Sequence, residues 1–258
     1  PQGDALVHGI DTHFLSPSGK VSVDTQWMLS DVNQLDGFGV LTDISYTPNS
    51  QWKHSMQIDY VDKKLNINDF GFLRRNDNKS VEYKIEYNTT KDLQHLRRKS
   101  WSLQGNYVEN SAGEMVQGGI FGHHSWTFNN RSQLSARLRY FPSRYDDLNS
   151  LGNGSFKIKT RGGFSIGYGS DTSLPISYSV LVGGGREDLG KFSKRISVGL
   201  TFKPTSNFSV DADILYRRRD GWLLHQSDRD FTTFAATEWQ PRVEMDYFIN
   251  SRHQLRLT

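Results

Sequence analysis

Polar and apolar residues alternate with a period of two along most of the chain. In the segment 52–61, the even positions from Trp52 to Tyr60 carry mainly large apolar or aromatic side chains, and Lys53 and Asp59 lie between them. Successive side chains of a β-strand point to opposite sides, so this period is typical of a strand whose two faces meet different surroundings. The same alternation recurs in 21–29, 81–87, 101–107, 134–140, 156–168, 208–217 and 231–249. No window of comparable length shows the helical period.

About fourteen such segments can be counted, and many of them run to about ten residues. Their centres lie near residues 10, 25, 42, 57, 84, 104, 121, 137, 162, 179, 198, 213, 241 and 256. Soluble strands usually have about five or six residues, whereas about 9–11 are needed to cross a bilayer at a tilt. Trp or Tyr recurs near the segment ends, as at Trp52, Trp101 and Tyr216, where amphipathic rings would meet a membrane–water interface. The pattern predicts an all-β protein, an antiparallel transmembrane β-barrel.

The connections between the segments alternate in length. Short turn sequences occupy 16–19, 48–50, 129–132, 204–207 and 250–252. Longer loops are predicted at 62–79, 141–154, 184–192 and 218–230. Outer-membrane barrels have short periplasmic turns and longer loops outside the cell. The segment 89–99 departs from this parity because it is long where a short turn is expected, and Pro241 predicts a bulge or a bend in its strand.

The alternation of short turns and long loops also indicates whether the predicted barrel is complete. If the turn at 16–19 is periplasmic, the first strand begins outside the cell and the fourteenth ends there, whereas bacterial barrels normally begin and end in the periplasm. We therefore expect residues 1–258 to form one outer-membrane β-barrel domain that is incomplete at both ends and belongs to a barrel of sixteen or more strands. The alternative is a soluble all-β sandwich or propeller, which would need a second sheet or helices to cover its apolar faces.

Composition removes several classes of protein. The chain of 258 residues has 31 basic and 28 acidic side chains, a formal net charge of +3, so it lacks the strong basic field of a nucleic-acid binder. It has no cysteine, which excludes disulfides, thiolate metal sites and cysteine nucleophiles. No apolar run approaches the roughly 18 residues of a transmembrane helix. A membrane protein built from strands passes all of these filters.

Three segments resemble a known family. Residues 65–77 contain the pattern N-x-x-G-F-x-R-R-x-D, which is similar to a stretch in a family of proteobacterial outer-membrane proteins of undefined function. The segments 217–223 and 247–257 are similar to the late strands of that family. Its members join a periplasmic carbohydrate-binding-family-9-like domain to a C-terminal β-barrel. The resemblance covers the barrel portion only, so it implies the fold and an outer-membrane location but no glycan-binding role.

Charged residues collect on the polar face of the predicted strands. An Arg or Lys that faces lipid near mid-bilayer costs about 2–4 kcal/mol, so these side chains should point into a lumen. The lumen-lining candidates are Lys84, Arg137, Arg139, Lys157, Lys159, Arg161, Asp211, Asp213 and Arg217. The strands around 137–139 and 157–161 form a basic cluster, and 211–213 is acidic. Patches of opposite sign across a lumen would orient a zwitterionic or sugar solute; alternatively, the charges form ion pairs that fill the barrel.

The loop around residues 70–75 combines apolar and basic side chains, which is unusual for a freely solvated loop. Its constriction or partner candidates are Phe70, Phe72, Arg74 and Arg75. The loop either folds inward as a constriction, or contacts a partner or lipopolysaccharide phosphates through its arginines. Simple packing on the rim is the alternative.

Three groups of residues resemble known functional sites but lack the structural features that such sites need. Residues 183–190 look like a phosphate loop, yet such a loop must lead into a helix, and a strand follows this one. His123 and His124 are adjacent on a strand and therefore face opposite sides, which separates them as metal ligands. His123, Ser125 and Asp146 would form a hydrolase triad only if they met at one rim. We therefore predict no enzyme, metal or cofactor.

The resulting prediction is a barrel in the outer membrane of a Gram-negative bacterium, in contact with lipid and lipopolysaccharide. The first functional interpretation is a porin-like pore or transport-associated barrel whose lumen charges select the solute. A structural or assembly scaffold with a plugged lumen, holding a protein partner at the rim or in the lumen, ranks close behind. A barrel hydrolase is third, and no nucleic-acid partner is expected.

Overall fold

A computed structural model describes residues 5–32, 34–67, 75–188, 191–250 and 252–257. The described residues form strands joined by turns and loops, and they contain no helix. The strands are β1 (Ala5–Leu15), β2 (Val21–Val32), β3 (Leu35–Tyr46), β4 (Trp52–Val61), β5 (Asn78–Thr89), β6 (Leu96–Glu109), β7 (Met115–Phe128), β8 (Gln133–Phe141), β9 (Arg144–Asp146), β10 (Phe156–Ile158), β11 (Arg161–Gly169), β12 (Ile176–Arg186), β13 (Phe192–Thr205), β14 (Phe208–Ser227), β15 (Asp230–Asn250) and β16 (His253–Leu257).

Fourteen of these strands form one antiparallel sheet. Each strand pairs with its neighbours in chain order, from β1 through β8 and then from β11 through β16. The strands β9 and β10 form a separate two-stranded sheet. The sheet is open, with β1 and β16 at its two ends. The predicted all-β antiparallel fold is confirmed, and each of the fourteen predicted centres falls within a strand of the large sheet.

One face of the sheet is apolar and uncovered. Residues directly opposite each other in an antiparallel pair share a face, and the row Val23, Ile44, Met56 and Tyr83 crosses β2 to β5 on this side. Leu138, on the same face of β8, is 67% exposed. Large apolar side chains on nearly every strand are similarly exposed. We call this side the apolar face.

The total surface area reflects the uncovered face. The chain exposes 17117 Å². A compact soluble monomer of its mass, 29.5 kDa, would expose about 11,500 Å². Six large or β-branched apolar residues are buried among those described: Met28, Val61, Leu65, Val108, Val116 and Ile158. No layer of protein therefore covers the apolar face in the described part of the chain.

Aromatic side chains form a row at each end of the apolar face. Next to the short turns, the Trp52 ring lies 4.8 Å from Tyr87 and 5.5 Å from Trp101, measured between centroids. On the side away from the short turns, Tyr216 and Trp239 have centroids 4.7 Å apart, near the middle of the long strands β14 and β15. The residues between the two rows are mainly aliphatic.

The structure corrects the predicted loop at 218–230. The strands β14 and β15 stay paired as far as Ser227 and Asp230, so this segment is an extended hairpin with a tight turn. The predicted loop at 184–192 is also shorter, because Gly184–Arg186 still belong to β12 and β13 begins at Phe192. Backbone pairing with a neighbour holds both segments in strands despite their charged, glycine-containing sequences.

Pro241 produces no register shift. It lies opposite Ile214, and the irregularities of this strand pair fall elsewhere, between Asp220 and Trp222 and between His225 and Ser227. The prediction of a bulge or bend at Pro241 is therefore wrong in terms of register. Since β16 covers only the last part of β15, Pro241 lies where β15 has a single neighbour, and a proline is tolerated on such an edge.

Candidate functional site

Acidic and basic side chains occupy different parts of the polar face, the side of the sheet opposite to the apolar face. Asp24 lies opposite Asp43, and that row continues through Gln57 to Glu82, so β2 to β5 carry mainly acidic groups. Arginines dominate the same face from β8 to β14. The polar face therefore holds separated regions of opposite charge.

The register brings four arginines around a floor of small residues. Arg137 lies opposite Ser165, which lies opposite Gly183. Gly183 in turn faces Arg195, and Arg195 faces Arg217. This row crosses five strands. It has Arg137 at one end and Arg195 with Arg217 at the other, and only the small residues Ser165 and Gly183 lie between them.

The next row along the strands has arginine at one end and glycine beside it. Arg139 lies opposite Gly163, which lies opposite Gly185. A Cβ added at Gly185 would lie 2.9 Å from the carbonyl oxygen of Gly162, and one at Gly183 would lie 2.7 Å from that of Phe164. Glycine is therefore needed here for the backbones to approach, and the arginine side chains border an open space.

The arginines of this region differ in their ion pairing. Arg161 is paired with Asp188 at 2.5 Å and lies over the Phe141 ring, 4.8 Å from its centroid. Arg217 pairs with Glu238, with their charged atoms 3.7 Å apart. Among the described residues, no carboxylate lies within 4.0 Å of the other three arginines that border the glycine floor; these are Arg137, Arg139 and Arg195. A cavity of about 480 Å³ opens between them.

A second cavity, of about 800 Å³, adjoins the first and shares Arg161 and Phe141 with it. Its lining contains buried polar atoms that have no partner among the described residues. These atoms are Asp59 Oδ1, Arg75 Nε, Asn78 Oδ1, Asn106 Oδ1 and Arg161 Nε. Buried polar groups are normally hydrogen-bonded, so this cavity is suited to water or a polar solute.

The loop that follows β4 folds onto the polar face. Leu65 is 1% exposed and packs against Met28 and Val61. Its backbone rests on Gly37, where an added Cβ would lie 2.3 Å from the Leu65 Cα. The Leu65 side chain covers Gly39, with its Cδ2 atom 2.9 Å from the position of a Cβ there. The described part of the loop thus covers one end of the polar face.

Arg75 fastens this loop to the one that follows β9. Its guanidinium donates two hydrogen bonds to Asp147, at 2.9 and 2.5 Å, and Asn110 donates a further one to the same carboxylate at 3.3 Å. These hydrogen bonds, with those from Arg75 foremost, lower the pKa of Asp147, and the bonds to Asp147 raise the pKa of Arg75. Arg75 thus lies in a contact between two loops, and the choice between a constriction and a partner contact stays a prediction. The other members of the predicted constriction, Phe70, Phe72 and Arg74, lie outside the described residues.

The structure places two of the predicted lysines away from the main sheet. The segment 156–168 is not one strand, because Phe156–Ile158 pair with β9 and β11 begins only at Arg161. Lys157 therefore lies in the small hairpin, 5.9 Å from the Tyr145 ring centroid, and Lys159 lies in the connection after it. Alternation continues across the break, so the sequence pattern conceals it. The assignment of both lysines to the polar face of this strand is wrong.

The remaining predicted residues lie on the polar face with local partners. Lys84 is 2.7 Å from Glu86, and Asp213 is 3.1 Å from Arg242. Asp211 accepts a hydrogen bond from Thr201 at 2.5 Å. Arg242 of β15 thus partly neutralises the acidic strand predicted at 211–213. The arginines that lack a carboxylate partner among the described residues are those that border the glycine floor.

The histidine pair separates as predicted. His123 faces the polar side opposite Arg137, whereas His124 stacks on Trp126 with ring centroids 3.9 Å apart. Ser125 Oγ is hydrogen-bonded to Ser100 Oγ at 2.7 Å rather than to a histidine. Asp146 accepts hydrogen bonds from Asn149 and neighbouring amides. Within the described residues, no hydrogen bond links the three groups of the conceivable triad.

In the part of the chain that the structure describes, no group of three or more His, Asp or Glu side chains is arranged to hold a metal ion. The described residues also contain no helix long and apolar enough to cross a membrane.

Sequence reasoning missed two members of the arginine region. Arg195 occupies the alternating position between Ser193 and Ser197, and Arg219 follows Arg217 on the same face. The alternation of β13 alone assigns Arg195 to the polar face. Its proximity to Arg137 depends on the register of three strand pairs, which the sequence does not state.

These features define a class of protein: an antiparallel all-β protein with an exposed apolar face and a polar face rich in arginine. The chain belongs to the family described as Domain of unknown function (DUF5916), whose match covers residues 2–258. A comparison with curated proteins finds no match.

Proposed function

We propose that the chain is a transmembrane β-barrel domain of a Gram-negative outer membrane, whose polar face lines a solute-conducting lumen. The observation that carries the proposal is the exposed apolar face with an aromatic row at each end. In water, burial of a large apolar side chain contributes about 1.5–3 kcal/mol, and this face forgoes that contribution on nearly every strand. Lipid chains supply the missing cover.

The dimensions of the apolar face support this environment. Trp52 and Tyr60 mark the two aromatic ends of β4, eight residues or roughly 27 Å apart along the strand, which is about 19–22 Å of height at a tilt of about 35–45°. Membrane barrels carry an apolar band about 25 Å tall between two aromatic girdles. Between the aromatic rows, arginine and aspartate lie on the other face, which fits the high cost of charge in lipid; Lys194 and Arg218 are on the apolar side but lie beyond Tyr216.

The charged polar face supports conduction of solutes. Arg137 and Arg139 are exposed and lack carboxylate partners among the described residues, so their charge acts on whatever fills the space beside them. In planar bilayers we expect discrete conductance steps. Replacing both arginines by Glu should shift the reversal potential towards cation selectivity.

A matched control separates lumen charge from net charge. Lys91 and Arg131 are exposed basic residues in turns, and changing both to Glu alters the net charge by the same amount. We expect no shift in reversal potential from this control. Equal shifts in both double variants, or a wild-type protein that never conducts, would refute the pore. A chain that stays monodisperse in plain buffer without detergent would refute the membrane location itself.

A second function is favoured by the inward loop. Leu65 and Arg75 hold their loop against the polar face, which is how a plugged scaffold would be built. For a scaffold, conductance stays near zero in the wild type and a protein partner copurifies in stoichiometric amount. Substituting Arg75 by Leu would then open the lumen and create conductance, whereas in a constricted pore it would only enlarge steps that already exist.

A further inference from the structure

We propose that the arginine cleft binds a soluble polyanion, a small solute bearing at least two phosphate, sulfate or carboxylate groups. The arginine cleft is the space bordered by Arg137, Arg139, Arg195 and Arg217 over the glycine floor. The proposal deepens the proposed function by naming the class of solute, and in that sense rests on it. The binding step itself does not require conduction.

The shape of the cleft follows from strand geometry. Arg137 and Arg195 stand three strand spacings apart, roughly 14 Å between backbones, with Ser165 and Gly183 between them. Arg139 lies two residues beyond Arg137, roughly 7 Å along the strand. Long side chains from both sides can thus reach over a floor that has almost no side chains of its own. The arrangement offers guanidinium groups at two levels along the strand direction.

The charge of the cleft calls for a counter-anion. Eight basic residues and one acidic residue border the cavity of about 480 Å³. Asp188 and Glu238, close to its border, are already engaged with Arg161 and with Arg217. Like charges held together in a folded protein repel one another, and an anion bound between them removes that cost. The acidic residues that would neutralise the cluster, such as Asp24 and Asp43, lie on distant strands.

The chemistry of arginine selects the ligand. A guanidinium is planar and presents its donors as a fork that matches two oxygens of a phosphate, sulfate or carboxylate. Guanidinium groups at two levels favour a solute with two such groups over one with a single group. Because the cleft is on the polar face, a lipid phosphate would have to leave the membrane boundary to reach it, so we commit to a soluble ligand.

The test uses pyrophosphate and inorganic phosphate as probes, with the whole chain in non-ionic detergent free of lipopolysaccharide. Calorimetric titration at low ionic strength should show saturable pyrophosphate binding, about tenfold or more tighter than phosphate, since a hydrogen bond to a charged group contributes about 1.5–3 kcal/mol. Absence of saturable pyrophosphate binding to the wild-type chain overturns the proposal, whatever the variants do. Equal affinity for the two probes overturns the polyanion preference.

Variants locate the binding site. Replacing Arg137 and Arg195 together by Gln should weaken pyrophosphate binding by about a hundredfold or more. Arg242→Gln removes the same kind of charge from the same face, outside the cleft, and should leave affinity unchanged. Equal losses in the two variants would show non-specific attraction and overturn the assignment. If the double glutamine variant fails to fold, the two corresponding lysine substitutions keep the charge but lose the fork, and they too should weaken binding.

The outcomes separate this proposal from the pore. Binding without conductance removes the pore and leaves the cleft in place. Conductance without pyrophosphate binding removes the cleft and leaves the pore. In a last experiment, lipopolysaccharide is added back to the micelles at concentrations below those of pyrophosphate. If it displaces pyrophosphate, the physiological anion is a lipid phosphate, and the choice of a soluble ligand is overturned.

Discussion

Leu138→Arg tests which medium covers the apolar face. Leu138 is 67% exposed, and it lies between Gly122 of β7 and Phe164 of β11. It lies two residues before Tyr140 on the same face of β8, and in the proposed barrel we place it within the apolar band. Arg139, the next residue, points to the opposite side and has no carboxylate within 4.0 Å among the described residues. The two positions thus report on the two faces at one place in one strand.

The expected magnitude differs sharply between the two environments. In a membrane barrel, an arginine near the bilayer midplane costs about 2–4 kcal/mol, which lowers the folded-to-unfolded ratio roughly 30- to 700-fold. In water, a substitution at so exposed a position would change the free energy of unfolding by no more than about 0.5 kcal/mol. Arg139→Leu removes a polar-face charge that has no ion-pair partner and should stay within about 0.5 kcal/mol in either case.

The assay is urea-dependent folding into phosphocholine vesicles, followed by tryptophan fluorescence. Leu138→Arg should lower the free energy of unfolding by about 2 kcal/mol or more relative to wild type, and Arg139→Leu should not. Equal stability of the two variants would contradict the assigned facing. A gain in stability for Arg139→Leu, with no loss for Leu138→Arg, would place lipid on the polar face and refute the whole arrangement.

Two further predictions concern the inward loop. Gly37→Ala should destabilise the protein by about 1–3 kcal/mol in the same urea assay, because its Cβ would clash with the Leu65 backbone. Gly122→Ala is the control and should have little effect, since nothing lies within 4 Å of its Cβ. Equal effects of the two substitutions would contradict the packing of Leu65 on Gly37. The carboxyl of Asp147 should titrate below its usual pKa near 3.9, so the stability from its pairing with Arg75 is present above that pH and is lost as the pH falls through the lower folded-state pKa. Carboxyl carbon NMR measures this, and a midpoint at or above 3.9 would contradict the pairing.

Alternation along the chain was sufficient to place the strands because it is local information. The segment around Trp52–Tyr60 predicts its own strand and its own facing without reference to any neighbour. The hairpin at 218–230 was missed because its stability is not local: Arg219 lies opposite Ala236 and is 3.5 Å from Glu238 of the next strand. Charge and glycine predicted a loop there, and pairing across strands overrode that preference.

The candidate site was predictable only in part, for a similar reason. The facing of Arg137 and Arg139 follows from their own strand. Their association with Arg195 follows from the pairing of β8 with β11, which skips the hairpin of β9 and β10. The sequence predicts a loop at 141–154, and the alternation in 156–168 continues across the break between β10 and β11, so Lys157 took the place in the predicted cluster that belongs to Arg195.

The two edges of the sheet have a consequence for the proposed membrane location. In hydrocarbon an unpaired backbone amide or carbonyl costs several kcal/mol, so an open sheet edge is tolerated much less there than in water. The part of β15 that β16 does not cover carries Pro241 and Arg242, and such residues disfavour pairing of an edge strand with another strand. The outer edge of β1 has 11 residues without Pro, Lys or Arg, and Ile10 and Phe14 stand exposed beside it. Such an edge favours pairing, so closure of the proposed barrel requires a strand next to β1.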